Sequence, residues 1–537
     1  MIQNLGNYHP AVDAALAELK QEDVITRIWA CDHTLWRPEP TEIANRLGWL
    51  DIAERMKKEL HSIASMVQEV QADGYTHAML LGMGGSSLAP EVFRKTLGVK
   101  PGYLDLAVLD STDPGAVLAH ADRLNPGKTL FIVSTKSGGT VETSSLFKFF
   151  YNQVANAVGA DRAGAHFIAI TDPGSSLVAL ADRHSFRATF LNDPNIGGRY
   201  SALSFFGLVP AALIGVDLAT LLDRATAATQ SDIGGRLGAV IGALAREGRD
   251  KVTFFTSPQL ASFGDWVEQL IAESTGKEDK GVLPVVGEPI AAPRTYGQDR
   301  LFICLYLKGD NALDAELKAL ETAGHPTLRL QLNDLCDLGA QFFIWELATA
   351  IASHFLQINP FDQPNVESAK VLARKMVAAY TETGALPASE SALLNADTLR
   401  RFMAQAQPSD YVALQAYVQP TPGTDAALNA LRLWLRDEYK LATTVGYGPR
   451  FLHSTGQLHK GDRGNGLFIQ LTADNAHDAP IPDAAGEPES TMGFGVLEMA
   501  QALGDYQALV DAKRRVTRFH LSQNVVGELK RVVTELA

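Results

Sequence analysis

The chain reads as an α/β protein, with parallel sheets flanked by helices. Short apolar runs such as Thr129–Val133 alternate with amphipathic helical stretches, the pattern of a parallel sheet covered on both faces. The alternation starts afresh near Lys251, which predicts a second unit of the same kind. Loops rich in small and hydroxyl residues follow several of the runs, where open parallel sheets hold their ligands.

In chain order, residues 1 to about 70 read as helical, with Trp36-Arg37-Pro38 as a break, and residues 1–60 form an N-terminal arm. The first α/β domain spans 61–232. Its strands are expected at Ala78–Gly82, Leu104–Leu109, Thr129–Ser134, His166–Thr171 and Ala188–Leu191. Helices are expected near Ser87–Leu97, Pro114–Leu124, Ser144–Ala157 and Ser176–Asp182, and an apolar one at Ala202–Ile214. The second domain spans 233–537. It opens with Lys251–Phe255, a helix at Trp266–Glu273, strands at Leu301–Leu307 and Leu328–Leu332, and helices at Gln341–Leu356 and Val366–Tyr380. Residues 381–408, with Gly384, Pro387 and Pro408, read as an insertion. Strands resume in a C-terminal extension at Tyr411–Val418, Ala442–Val445, Leu467–Leu471 and Val516–Leu521, before a closing helix at Val525–Leu536.

Length, composition and charge narrow the function. A chain of 537 residues holds at least two domains, and 46% hydrophobic with 20% charged residues is ordinary for a soluble protein. A formal charge of −14 argues against nonspecific nucleic-acid binding, which needs a basic footprint. Cys31, Cys304 and Cys336 lack metal or disulfide spacing. No basic leader with an apolar core and no stretch of membrane-spanning length is evident, so a cytoplasmic location and no membrane partner are expected.

Four loops could carry chemistry. The segment Ser134-Thr135-Lys136-Ser137-Gly138-Gly139-Thr140-Val141-Glu142-Thr143 sets five hydroxyl residues and a lysine between a strand and a helix. Backbone N–H groups and the positive end of the helix dipole favour a phosphate there, and five hydroxyls exceed what an N-cap needs. Gly82-Met83-Gly84-Gly85-Ser86-Ser87 matches a dinucleotide fingerprint except at Ser87, and equally suits close backbone approach to a small ligand with Ser86 donating. Gly197-Gly198-Arg199 delivers a permanent cation to the sheet edge, where it serves a site or a surface ion pair. Glu273, at the end of the Gln269–Glu273 helical segment, would alone be an ordinary solvated carboxylate.

Together with Asp362-Gln363-Pro364-Asn365-Val366-Glu367-Ser368-Ala369-Lys370, these motifs resemble the glucose-6-phosphate isomerase family over residues 50–380, with Asn365 where the family has glycine. The N-terminal segments and long C-terminal part further resemble the isomerase half of transaldolase–isomerase fusions. The resemblance implies two sugar-isomerase (SIS-type, flavodoxin-like) domains. It also implies reversible aldose–ketose isomerisation of glucose 6-phosphate and fructose 6-phosphate through ring opening and a cis-enediolate, with neither cofactor nor metal. Gly85, Ser86, Thr135, Lys136, Ser137, Thr140, Glu142, Gly198, Gln269 and Gln363 would bind substrate. Glu273 would be the base that moves the proton between C2 and C1, Arg199 would face C1–C2, and Lys370 would lie near the ring oxygen and hydroxyls.

The family's ring-opening histidine is missing after Gly287-Glu288-Pro289, where Thr295-Tyr296-Gly297-Gln298 leads to Asp299. His453, in Leu452-His453-Ser454-Thr455-Gly456-Gln457, is the favoured replacement because imidazole suits proton exchange near neutrality. Asp299 competes, and His459 reads as peripheral. In the family this histidine comes from a neighbouring subunit, which implies a homodimer whose sites are completed across the interface. Alternatives are a phosphosugar isomerase of wider substrate range and a non-catalytic SIS-domain sugar-phosphate sensor. An NAD enzyme rests only on the incomplete glycine loop.

Overall fold

The computed structural model describes residues 1–537. Its strands in chain order are β1 (Ile2–Asn4), β2 (His77–Gly82), β3 (Asp105–Leu109), β4 (Thr129–Ser134), β5 (Phe167–Thr171), β6 (Ala188–Leu191), β7 (Lys251–Thr256) and β8 (Leu283–Val285). They continue with β9 (Arg300–Leu307), β10 (Thr327–Leu332), β11 (Tyr411–Tyr417), β12 (Ala442–Tyr447), β13 (Gly466–Ala473), β14 (Pro480–Ile481), β15 (Met492–Gly493) and β16 (Arg515–Leu521). A first sheet, in order β3-β2-β4-β5-β6, is parallel throughout. A second, β10-β9-β7-β8, is also parallel and gains the short antiparallel edge strand β1, which the helical reading of the N-terminus missed.

Every residue of β4 is buried, because alternate side chains enter different cores. Leu130 and Ile132 join a large core that includes Phe206, whereas Phe131 and Val133 pack with Phe147 of the Val141–Val158 helix. The large core continues through Ile303 and Leu305 of the second sheet and Trp345 of the Leu338–Phe355 helix, so the first two units share one interior. That helix and the turn before it are apolar enough over Leu335–Phe355 to span a bilayer, contrary to the sequence reading. Since most of the segment is buried, it is the core helix of the second unit.

The strands beyond residue 408 do not extend the second sheet. Four of them form a third parallel sheet, β12-β11-β13-β16, with its own core around Leu414, Leu431 and Ile469, while β14 and β15 pair antiparallel with each other. An apolar run carries no mark of which sheet it joins, so only packing makes this assignment. The stretch read as an insertion holds the helix Ala396–Met403, begun by an Asn395–Thr398 capping box, and Ala392 bridges to Phe519 of β16. It belongs to this third unit.

Candidate active site

Parallel register sets the first part of the site. Gly82 at the end of β2 pairs with Ser134 at the end of β4, so the loops that follow lie side by side. The Ser134 hydroxyl donates to the Ser86 carbonyl at 3.1 Å, joining them. Thr140 is the N-cap of the Val141–Val158 helix, yet its hydroxyl makes no capping bond; it meets the Thr135 hydroxyl at 2.9 Å. Ser137, Gly139 and Thr140 line a cavity of about 400 Å³. Lys136 departs from expectation. Its ammonium is ion-paired with Asp172, just past β5, and donates to the Pro194 carbonyl at 3.1 Å. Lys136 therefore fixes the loop from outside the cavity lining.

The Gly84–Ser86 turn also touches the Arg199 loop. Gly84 has φ +56°, and a Cβ on Gly85 would stand 2.0 Å from the Gly198 carbonyl oxygen. This contact presses the turn against the backbone carrying Arg199. Four hydrogen bonds anchor the buried Arg199 guanidinium: Nε donates to Ser274 Oγ at 2.8 Å, Nη2 to the carbonyls of Pro360 and Asp362 at 2.6 and 2.9 Å, and Nη1 to Gln363 Oε1 at 3.0 Å, while Nη1 is ion-paired with Glu273 Oε1 at 3.1 Å. Arg199 is thus no surface ion pair, and Glu273, at the end of the Phe263–Thr275 helix, is held against a rigid cation. Four residues earlier, the Gln269 amide donates to Glu273 Oε2 at 3.0 Å and to the His453 carbonyl at 2.8 Å. Its own carbonyl oxygen is buried with no protein partner.

His453 sits on the turn Arg450–His453 after β12. Arg450 holds that turn on the other two units, with Asp110 at 3.3 Å and Asp265 at 3.5 Å. The His453 ring places Nε2 2.9 Å from Glu142 Oε1, and because a carboxylate only accepts, Nε2 donates. Burial favours the neutral form of Glu142, but the charge and hydrogen bond of His453, aided by Lys370, outweigh it and hold the carboxyl below its usual range. Glu142, His453 and the exposed Lys370 line the same cavity as Ser137 and Thr140. Arg199, Glu273 and Gln363 form an adjoining cluster outside that lining, tied to the His453 backbone through Gln269.

Two expectations change. Asp299 is not near this centre: it precedes β9 at the amino end of the second sheet and lies 3.6 Å from Lys251. His453 reaches Glu142 within one chain, so no second copy is needed to bring this histidine to the site. The third unit folds back over the first two and presents it, an arrangement that linear motif order does not convey. His459 is buried away from the cavity, paired with Gln415 at 3.2 Å, and burial pushes its pKa well down.

Sequence reasoning missed three contributors. Ser274, inside a quoted motif, orients Arg199. Gln457 Nε2 donates to the Gly276 carbonyl at 2.9 Å and to Asn365 Oδ1 at 2.7 Å, while its Oε1 accepts from the Asn365 N–H at 2.9 Å. The asparagine standing in place of glycine thus clamps the Lys370 helix to the Glu273 segment through the third unit. Gln501, on the helix Phe494–Asp511, donates to Glu142 Oε1 at 2.7 Å, and nothing in its local sequence signals this.

The phosphoglucose isomerase family model matches residues 48–232. A glucose-6-phosphate isomerase of Rubrobacter xylanophilus is 30% identical over 414 residues, spanning 67% of this chain and 94% of that protein. One from Streptococcus pyogenes is 28% identical over 383 residues, covering 60% and 85%. Among solved structures, a hypothetical protein of Thermus thermophilus superposes with TM-score 0.61 and 26% identity over 70% of this chain and all of that one. A glucose-6-phosphate isomerase of Chlamydia trachomatis, at TM-score 0.59 and 19% identity over 69% and 86%, shares the fold.

Proposed function

The chain belongs to the glucose-6-phosphate isomerase family, and from that premise we propose that it interconverts glucose 6-phosphate and fructose 6-phosphate with Glu273 as base and His453 in ring opening. The observation that carries this reading is the convergence of two pairs, Glu273–Arg199 and Glu142–His453, on one amide, that of Gln269, which donates to Glu273 and to the His453 main-chain carbonyl.

The phosphate is held by Ser86, Thr135, Ser137, Thr140 and the amides at the helix N-terminus, remote from the reacting carbons, so its binding energy positions them. Ring opening needs a proton delivered to the ring oxygen and one removed from the anomeric hydroxyl. His453 and Lys370, both on the cavity wall, supply those groups, and Glu142 orients the imidazole by accepting from its Nε2. Glu273 then takes the C2 proton and returns it to C1. As it does so it ceases to be an anion, leaving the charge of Arg199 to balance the enediolate oxygen. Gln363 orients the sugar hydroxyls, Gln269 holds the Glu273 carboxylate in place, and Gly198 leaves open space beside Arg199.

A homodimer and a cytoplasmic location belong to this reading, although the chemistry does not require a second copy to supply His453. The competing reading is a non-catalytic sugar-phosphate sensor. Fructose 6-phosphate turnover, followed by coupled NADP reduction, separates the two. Wild type turns over, and Glu273→Gln loses on the order of 10³-fold or more in kcat, as expected for removal of the proton-transfer base. Binding of fructose 6-phosphate without turnover by the wild type favours the sensor.

A further inference from the structure

We propose that Gln501 is a positioning residue for ring opening: together with Thr112 it fixes the Glu142 carboxylate in the orientation that aligns His453. The inference rests on the reading of Glu142 and His453 as the ring-opening pair.

The geometry is a continuous hydrogen-bond chain across two units. Thr112, in the loop after β3, donates its hydroxyl to Gln501 Oε1 at 2.8 Å. Gln501, on the third-unit helix Phe494–Asp511, donates Nε2 to Glu142 Oε1 at 2.7 Å. His453 Nε2 meets that same oxygen at 2.9 Å. Chemistry dictates the direction of every link. An ionised carboxylate only accepts, so Gln501 must turn its NH₂ toward Glu142 and its carbonyl away. That carbonyl also only accepts, so the Thr112 hydroxyl must donate to it. Thr112, Gln501 and Glu142 are all buried, so removing one partner leaves a polar group with few protein groups to replace it.

The consequence is a carboxylate with restricted freedom. Glu142 Oε1 lies at the apex of two donors, and the Gln501 amide blocks rotation that would draw this oxygen away from the imidazole. Gln501 borders the cavity, with its Oε1 accepting from Thr112 and one of its two N–H donors committed to Glu142, and through that bond it acts on ring opening. The third unit therefore contributes the histidine and also the group that aligns its carboxylate partner.

Ring opening has its own readout. Opening and reclosing exchanges the α and β anomers of glucose 6-phosphate, which magnetisation-transfer NMR measures without any C1–C2 proton transfer. The full-length wild type, Glu273→Gln, His453→Gln, Gln501→Leu, Thr112→Val and Thr112→Ser would be compared. Glu273→Gln retains anomer exchange, and His453→Gln loses it. Gln501→Leu slows exchange about tenfold, the scale of one charge-assisted hydrogen bond, with KM within about threefold of wild type. Thr112→Val slows it about threefold, and Thr112→Ser, which keeps the hydroxyl, restores it. Folded Gln501→Leu with wild-type exchange overturns the proposal. Should Gln501→Leu not fold, equal exchange rates in Thr112→Val and Thr112→Ser overturn it. Wild-type exchange in His453→Gln defeats the underlying assignment of His453, and the positioning role falls with it.

Discussion

Gly85→Ala should cripple catalysis although it adds a single methyl group at a residue with no functional side chain. The new Cβ would lie 2.0 Å from the Gly198 carbonyl oxygen, 2.4 Å from its carbonyl carbon and 3.1 Å from the Arg199 N–H nitrogen. Such contacts essentially never fall below 3.0 Å, so the two backbones must part by at least 3.0 − 2.0 = 1.0 Å. The obstacle is main chain, which cannot swing aside as a flexible side chain would. Movement of the Gly198 side carries Arg199 with it and breaks bonds among those to Ser274, Pro360, Asp362, Gln363 and Glu273. Movement of the Gly84–Ser86 turn displaces Ser86 from the phosphate loop. A misplacement of about 1 Å costs on the order of 10²-fold in rate, and overpacking of this kind costs about 1–3 kcal/mol of stability. The paired control is Gly198→Ala, where a Cβ would meet no atom within 4 Å and stability should not change. Steady-state kinetics with fructose 6-phosphate and urea unfolding test the pair. Gly85→Ala with kcat/KM within about threefold of wild type would refute the reasoning, since a 1 Å shift of these groups is expected to cost far more.

Three further outcomes are expected. Gln457→Ala should lower kcat more than tenfold by releasing the Lys370 helix from the Glu273 segment, and Asn365→Gly should reproduce part of the loss; unchanged kinetics in both would sink the clamp. Lys277, four residues beyond Glu273, donates to Asp362 Oδ1 at 2.7 Å and to the Asp362 carbonyl, which also accepts from Arg199. Burial, and next the Arg199 charge, bring its ammonium down to about 8, so loss of this support should make kcat/KM decline above about pH 8 and Lys277→Arg should extend the plateau. Glu142 is held below its usual 4.5, so the stability it contributes is present above pH 4.5 and is lost as the pH falls through its lower folded value. The urea midpoint of wild type should therefore exceed that of Glu142→Gln at pH 7, and a gap that persists undiminished in strong acid would contradict the assignment.

Local pattern was enough for much of this protein. β4 and the hydroxyl loop after it, the Phe263–Thr275 helix ending beside Glu273, and the small-residue turns at Gly85 and Gly198 are recorded in contiguous residues, because strand burial, helix periodicity and tight turns are short-range properties. His453 was legible as a candidate, but its rivalry with Asp299 was not resolvable along the chain. His453 and Glu142 are 311 residues apart, and Gln501 lies 359 residues from the carboxylate it contacts. No spacing rule spans such distances. The assignment of β11, β12, β13 and β16 to a third sheet, the diversion of Lys136 to Asp172, the removal of Asp299 to the amino end of its sheet and the supply of the histidine within one chain all depended on which surfaces pack together. Those choices arise from burying apolar faces and pairing buried charges between distant segments, and they exist only once the whole chain has folded.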